Sequence, residues 1–107
     1  MLERKDIYKN YVAKSDNKIV GFISMVFYKT CFHPGGTALI NELIVAQKYR
    51  GKGIGKSLLE RAIKVAVDNS SNEIEVSTTN DNEAAIRFYQ RNGLIDESIL
   101  LGKELAK

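Results

Sequence analysis

The sequence predicts one α/β domain, spanning residues 1–107, built on a mixed sheet with elements in the order β, β, β, α, β, α, β. Two observations carry this prediction. Runs rich in β-branched and aromatic residues alternate with turn residues in the first half of the chain. Two segments with an apolar period of three to four residues follow in the second half. A chain of 107 residues has room for one hydrophobic core.

The first half is predicted to form a hairpin and a third strand. Residues 8–13 and 18–28 read as strands that flank residues 15–17, a Ser-Asp-Asn cluster suited to a tight turn. Pro34 and the two glycines after it interrupt the chain before a third apolar run, residues 37–46. We expect that run to be the third strand.

The second half is predicted to hold two helices and two strands. A helix over residues 54–69 is indicated by the spacing of Ile54, Leu58, Leu59, Ala62, Ile63, Ala66 and Val67. Residues 74–78 alternate between apolar and polar side chains, as a strand does. Asn82 as N-cap and Gly93 as stop signal bound a second helix, residues 83–92. Residues 99–105 are predicted to form the last strand.

Composition excludes several function classes. The net charge of +3 arises from 16 basic and 13 acidic residues that are interspersed, so nucleic-acid binding is not expected. The first residues lack the apolar stretch of a signal peptide, and no run is long enough to cross a bilayer, which favours a cytoplasmic protein without a membrane partner. A single histidine, His33, and a single cysteine provide no ligand cluster, so no metal site is expected.

A glycine-rich turn lies between the third strand and the first helix. At such a junction, unpaired main-chain N–H groups and the helix dipole together form an anion site, and glycine lets a phosphate approach the main chain. A tight turn without a ligand would also use glycines. The candidate phosphate-binding residues are Arg50, Gly51, Lys52, Gly53, Ile54, Gly55 and Lys56.

Two better-known phosphate motifs do not fit this turn. A P-loop ending at Gly55-Lys56-Ser57 needs a glycine five positions before Gly55, where the chain has Arg50. A dinucleotide fingerprint needs the spacing G-x-G-x-x-G, whereas the third glycine here comes one residue too early. Neither a P-loop nor a dinucleotide site is predicted.

The spacing R/Q-x-x-G-x-G/A, met by Arg50, Gly53 and Gly55, resembles the coenzyme A pyrophosphate loop of the GNAT superfamily of N-acetyltransferases. Downstream, a segment that begins at Asn82 and carries Ala85, Phe88, Tyr89, Gly93 and Leu94 is similar to the second signature of that family. The resemblance covers about residues 19–105. It implies an acetyl-CoA-dependent transfer of an acetyl group to a primary amine, through a tetrahedral intermediate.

The resemblance also implies roles for particular residues. Main-chain groups of Leu43 and Val45 are expected to bind the pantetheine arm and to polarise the thioester. Tyr89 matches the family tyrosine that protonates the departing thiolate, although a core tyrosine would fit the same pattern. Asn82 matches an asparagine that contacts the coenzyme, and its role as an N-cap explains it equally well.

Glu42 is the only carboxylate in an otherwise apolar strand. Partial burial would raise its pKa and make it a general base, directly or through water, and a structural role is the alternative. No family motif assigns this position.

Family members usually begin with a further strand and two helices that have no counterpart in this sequence. Their absence is expected to expose a strand edge and the side chains Ile19, Phe22 and Met25, and so to favour a homodimer. An open monomeric cleft for a bulky acceptor is the alternative. Two other classes of function stay open: a non-catalytic module that binds coenzyme A, and a plain interaction domain. The acceptor amine cannot be read from the sequence.

Overall fold

The computed structural model describes residues 7–29 and 34–105, so His33 lies outside the described residues. The chain consists of two compact units, of which the first ends at Val76 and the second begins at Ser77. The elements of the first unit are β1 (Tyr8–Ser15), β2 (Lys18–Tyr28), β3 (Thr37–Val45), α1 (Ile54–Asp68) and β4 (Glu73–Val76). The second unit contains α2 (Glu83–Arg91). In the described residues, no helix is both long and apolar enough to span a membrane.

The first unit is a four-stranded sheet in the order β1-β2-β3-β4. The pairs β1–β2 and β2–β3 are antiparallel, and β3–β4 is parallel. The hairpin between β1 and β2 turns at Asp16 and Asn17, whose φ angles of 51° and 67° are the positive values that a two-residue hairpin turn needs. The predicted mixed sheet is therefore confirmed.

Helix α1 crosses from β3 to β4 and covers one face of the sheet. Its buried residues are Leu58, Leu59, Ala62, Val65 and Ala66, which meet the buried Ile23 and Met25 of β2 and Ile40 of β3 in the core. Two details differ from the sequence pattern. Val67, assigned to the apolar stripe, is exposed, and Met25, expected to be under-covered, is fully buried because it faces α1.

A polar contact fixes the starts of β3 and β4 side by side. The Asn72 side chain accepts a hydrogen bond from the Gly35 N–H at 2.7 Å, and the Asn72 N–H donates to the Gly36 carbonyl at 2.8 Å. A Cβ on Gly35 would lie 2.3 Å from the Ser70 carbonyl oxygen, so only glycine fits there. The Pro-Gly-Gly segment thus aligns two parallel strands as well as ending a loop.

The second unit contains one capped helix, followed by residues without regular secondary structure. After α2, the Gly93 N–H donates to the Gln90 carbonyl and the Leu94 N–H to the Tyr89 carbonyl, which is a Schellman cap with Gly93 at φ 98°.

The predicted last strand is absent from the structure, since residues 94–105 have no regular secondary structure. Ile99, Leu100 and Leu101 are 85%, 82% and 88% exposed. Their apolar composition suits a strand, but a strand also needs a hydrogen-bonding partner, which composition does not supply.

Candidate functional site

Strand β3 is paired on both sides over its first half only. Residues Thr37 to Ile40 lie opposite Glu73 to Val76 of β4, and β4 ends there, two residues before the predicted end at Thr78. Beyond Ile40, β3 continues to Val45 beside β2 alone. The register with β2 shifts at this point, because Ser24 lies opposite Glu42 whereas Met25 lies opposite Ile40. Asn41 is the extra residue of a bulge.

The main-chain groups of β3 that point away from β2 belong to Leu43 and Val45. The Ala46 N–H donates to the Val20 carbonyl at 2.8 Å, so the main-chain groups of Ala46 point toward β2. Because these groups alternate along a strand, those of Val45 and Leu43 point to the opposite side. In the described part of the chain, no strand pairs with that side of residues 41–45.

The connection from β3 to α1 is held by a contact that sequence reasoning missed. The Arg50 Nε donates a hydrogen bond to the Val45 carbonyl at 2.9 Å, across the 3₁₀ turn Gln47–Tyr49. This bond joins a side chain to a main-chain oxygen five residues earlier, and no sequence pattern signals it. Arg50 therefore shapes the loop at its start.

Gly51 and Gly53 give the loop a surface made of main chain. Their φ angles are 80° and 85°, values that residues with a Cβ rarely adopt. A Cβ at either position would meet no atom of the chain within 4 Å, so the space beside them is open. Glycine is required there by conformation, and the open space suits a ligand that lies against the main chain.

The N-terminus of α1 fits an anion. Gly53 is its N-cap, so no side chain bonds the first N–H groups, and the first turn has no acidic residue. Between Glu42 and Glu60 the sequence contains four cationic residues and no carboxylate. Free N–H groups, the positive end of the helix dipole and these cations all favour a phosphate.

Two of those cations contact one aromatic ring. The Nζ atoms of Lys48 and Lys52 each lie 5.6 Å from the centroid of the Tyr49 ring, within the range of a cation–π contact. We name this group the lysine rim. The sequence offers the residues, but only the turn geometry brings both ammonium groups to the same ring.

Glu42 does not have the partial burial predicted for it. Its side chain is exposed, because it lies next to the bulge and beyond the end of β4. The argument from burial for a general base at Glu42 therefore does not hold. Any role as a base has to rest on its position beside the open half of β3.

The predicted side chains of the second unit lie on α2. Asn82 is the N-cap, and its side-chain oxygen accepts a hydrogen bond from the Ala85 N–H at 3.2 Å. Tyr89 lies about two turns further along the helix, half-buried, with its ring edge-on to that of Phe88 at 5.3 Å between centroids. Burial raises the pKa of the Tyr89 hydroxyl above its usual value of 10.0, so the hydroxyl keeps its proton at neutral pH.

The residues described also bear on metal binding. Among them, no group of three or more histidine, cysteine, aspartate or glutamate side chains is arranged to hold a metal ion. The main-chain surface of the loop and the uncapped helix suit a phosphate group better than a metal, because they present donors and cations.

Comparisons with known proteins agree with this geometry. N-alpha-acetyltransferase 30 of Schizosaccharomyces pombe is 38% identical over 86 residues, which is 78% of this chain and 55% of that protein. An aminoglycoside acetyltransferase from an uncultured soil metagenomic sample, in complex with trehalose, has the same fold. It superposes with a TM-score of 0.85 at 22% identity, over 95% of this chain and 67% of that one.

A further solved structure carries a coenzyme analogue. AAC(6′)-Iy, in complex with the bisubstrate analogue CoA-S-monomethyl-acetylneamine, has a TM-score of 0.81 at 15% identity, over 94% of this chain and 71% of that one. The chain spans about half the length of the curated relatives it matches. The family model for the acetyltransferase (GNAT) family matches residues 2–94. The chain therefore belongs to the GNAT family of acetyltransferases.

Proposed function

We propose that this chain transfers an acetyl group from acetyl-CoA to a primary amine of a small molecule or peptide. The observation that carries the proposal is the open half of β3, Asn41 to Val45, which leads through a glycine loop into an uncapped helix N-terminus. The main-chain donors and acceptors that follow one another along this line suit an extended, phosphate-bearing cosubstrate.

The coenzyme would lie along this line. Its pyrophosphate takes the N–H groups at the start of α1, where the loop from Arg50 to Lys56 adds positive charge and the glycines allow close approach. Its pantetheine arm pairs with the main chain of Leu43 and Val45 as an added strand would. Binding by main chain explains why the loop needs glycines more than particular side chains.

Acyl transfer requires a neutral amine, a donor for the oxyanion and a proton for the departing thiolate. The coenzyme supplies the activated thioester. We propose that a main-chain N–H of the open half of β3 polarises the carbonyl oxygen of the thioester, since no strand of the described residues pairs with that side of residues 41–45. Tyr89 is proposed as the acid, because its position in the second signature matches the family tyrosine and a tyrosine hydroxyl carries its proton at neutral pH. Asn82 adds a coenzyme contact to its capping role.

Glu42 is proposed to deprotonate the amine through water. Its exposed carboxylate lies one residue from the bulge, at the end of the doubly paired half of β3. An exposed carboxylate also attracts the ammonium form of an acceptor, which then loses its proton in place.

The acceptor class is proposed from the relatives. One matched relative is named as an N-alpha-acetyltransferase, and a structural neighbour as an aminoglycoside acetyltransferase. Both names refer to the acetylation of amines. A primary amine is the group that these acceptors share.

We extend the proposal to location and assembly. The protein is proposed to act in the cytoplasm as one domain and to form a homodimer. Strand β1 is an edge of the sheet, and Ile19 beside it is 63% exposed, as expected from the sequence. Phe22 is only partly covered. Pairing two such surfaces removes apolar area from water. Light scattering checks this, and a monomeric mass at every concentration contradicts it.

Acetyl-CoA turnover tests the activity directly. We expect thiol release from acetyl-CoA only when an amine is present, with the acetylated product detected by mass spectrometry. The amines to compare are amino acids, polyamines, aminoglycosides and peptides with a free N-terminus. Tight binding of acetyl-CoA without turnover on any amine would contradict the enzyme and identify a coenzyme-binding module.

A further inference from the structure

The loop carries more positive charge than the pyrophosphate alone requires. Its cationic residues are Lys48, Arg50, Lys52 and Lys56, and no acidic residue lies between Glu42 and Glu60. Arg50 is engaged, because its Nε donates to the Val45 carbonyl. Lys56 belongs to the first turn of α1, where the proposed pyrophosphate lies. Lys48 and Lys52 remain to be accounted for.

The Tyr49 ring gathers these two lysines. Each ammonium nitrogen is 5.6 Å from the ring centroid, so the two nitrogens are at most twice that distance apart. Contact with the ring stabilises each ammonium group, whereas the two like charges repel. A phosphate dianion that accepts hydrogen bonds from both would remove this repulsion. The pair of lysines is therefore a candidate second anion site, next in sequence to the first.

Coenzyme A carries a second anion in addition to its pyrophosphate, the 3′-phosphate of its ribose. We infer that the lysine rim of Lys48, Tyr49 and Lys52 binds this 3′-phosphate and selects coenzyme A over its 3′-dephospho form. This inference rests on the proposed function, since it assumes that the pyrophosphate occupies the N-terminus of α1. It assigns the rim to cosubstrate selection, separate from the main-chain groups that bind the rest of the molecule.

Calorimetry with two ligands, coenzyme A and 3′-dephospho-coenzyme A, tests the inference at one ionic strength. The wild-type chain should bind coenzyme A about tenfold more tightly or better, because hydrogen bonds to charged groups are the stronger ones. Lys48→Ala and Lys52→Ala should each lower the ratio of the affinity for coenzyme A to the affinity for its 3′-dephospho form. The double variant should bring this ratio close to one. Affinity for coenzyme A should fall more than affinity for the 3′-dephospho form in all three variants, because only coenzyme A carries the 3′-phosphate.

Lys64→Ala is the matched control, because it also removes one exposed lysine. Lys64 lies near the C-terminal end of α1, where it forms an ion pair with Asp68 at 3.2 Å. Its affinity ratio should equal that of the wild type. Tyr49→Leu keeps both charges but removes the ring that both ammonium groups contact. It should therefore also lower the affinity ratio. Circular dichroism checks that each variant is folded.

The outcomes separate the two levels of the proposal. Equal wild-type affinity for both ligands, or a ratio that the double lysine variant leaves unchanged, would overturn the role of the rim and leave coenzyme binding intact. Failure of the folded wild-type chain to bind either ligand would instead reject the proposed function. A ratio that falls equally in Lys64→Ala would reduce the effect to net charge and also overturn the role of the rim.

Discussion

The two halves of β3 differ in what their main chain does. From Thr37 to Ile40 the strand is paired on both sides, and its α1-facing side chains, Ala38 and Ile40, are buried. From Asn41 to Val45 it pairs with β2, and no second strand of the described residues pairs with it there. A bulge and the end of β4 separate the halves at a single residue. One strand thus provides the core with its first half and a set of free hydrogen-bonding groups with its second.

If the proposed function is correct, this difference lets a small domain carry a binding site without weakening its core. The main-chain groups of Leu43 and the N–H of Val45 are anchored by the same strand that fills the core, so their positions need no further ordering. In the proposed mechanism the open half supplies main-chain groups and the base Glu42, and none of these protonates the departing thiolate. The acid therefore has to be a side chain elsewhere, and this division can be tested by substitution.

The largest expected effect is that of Tyr89→Phe. If the open half of β3 only binds and polarises, removing the proposed acid should lower kcat by about 10² to 10⁴ with coenzyme affinity almost unchanged. Single-turnover kinetics measures the chemical step without interference from product release. Phe88→Leu, on the adjacent position of α2, controls for packing. A Tyr89→Phe enzyme with wild-type single-turnover rate would remove the hydroxyl from the mechanism.

The next effect compares stability across the two halves. Ile40 is 1% exposed and Ile44 is 52% exposed, so the same substitution has different consequences. Ile40→Ala should lower the free energy of unfolding by about 2–5 kcal/mol, whereas Ile44→Ala should change it by less than about 1 kcal/mol. Urea denaturation measures both. Equal losses would show that the open half is as much part of the core as the first.

Gly53→Val should reduce affinity for acetyl-CoA by about tenfold or more, because it strains the turn and places a side chain where the pyrophosphate is proposed to lie. Gly93→Val is the matched control. Gly93 also has a positive φ, 98°, and a Cβ there would meet no atom within 4 Å, so its strain is comparable. Calorimetric titration with acetyl-CoA measures the affinity of both variants, and we expect a loss in Gly53→Val only. Unchanged affinity in folded Gly53→Val would show that the loop assignment is wrong.

The smallest expected effect is that of Asn82→Ala. Loss of the hydrogen bond from the Ala85 N–H should lower stability by about 1 kcal/mol. Asn82→Asp retains an acceptor at the N-cap and should preserve stability. If Asn82 only caps the helix, neither variant changes coenzyme affinity. A loss of affinity in both, beyond what the stability change explains, would support the proposed contact.

The sequence predicted the elements well where a local pattern decides them. The turn at Asp16 and Asn17, the cap at Asn82 and the stop at Gly93 all lie where side-chain chemistry indicated. The predicted last strand was wrong because pairing depends on a partner edge rather than on the apolar character of Ile99 to Leu101. The end of β4 at Val76 was missed for the same reason.

The candidate site was predictable in its main-chain parts and less so in its side chains. The glycine spacing indicated the loop, because positions with a positive φ angle are usually occupied by glycine. The exposure of Glu42 follows from the bulge at Asn41, and no sequence pattern predicts that bulge. The bond from Arg50 to Val45 and the lysine rim depend on the path of a short 3₁₀ turn. Contacts of this kind can be identified only in the folded structure.

An amide NMR titration of the ¹⁵N-labelled chain with acetyl-CoA tests the proposed coenzyme site residue by residue. We expect large shifts for the N–H groups of Leu43 and Val45 and of residues 51–56, with small shifts for Thr37 to Ile40. Saturating shifts confined to the open half of β3 and the loop would establish them as the coenzyme site. Binding that leaves Leu43, Val45 and residues 51–56 unshifted would contradict this site.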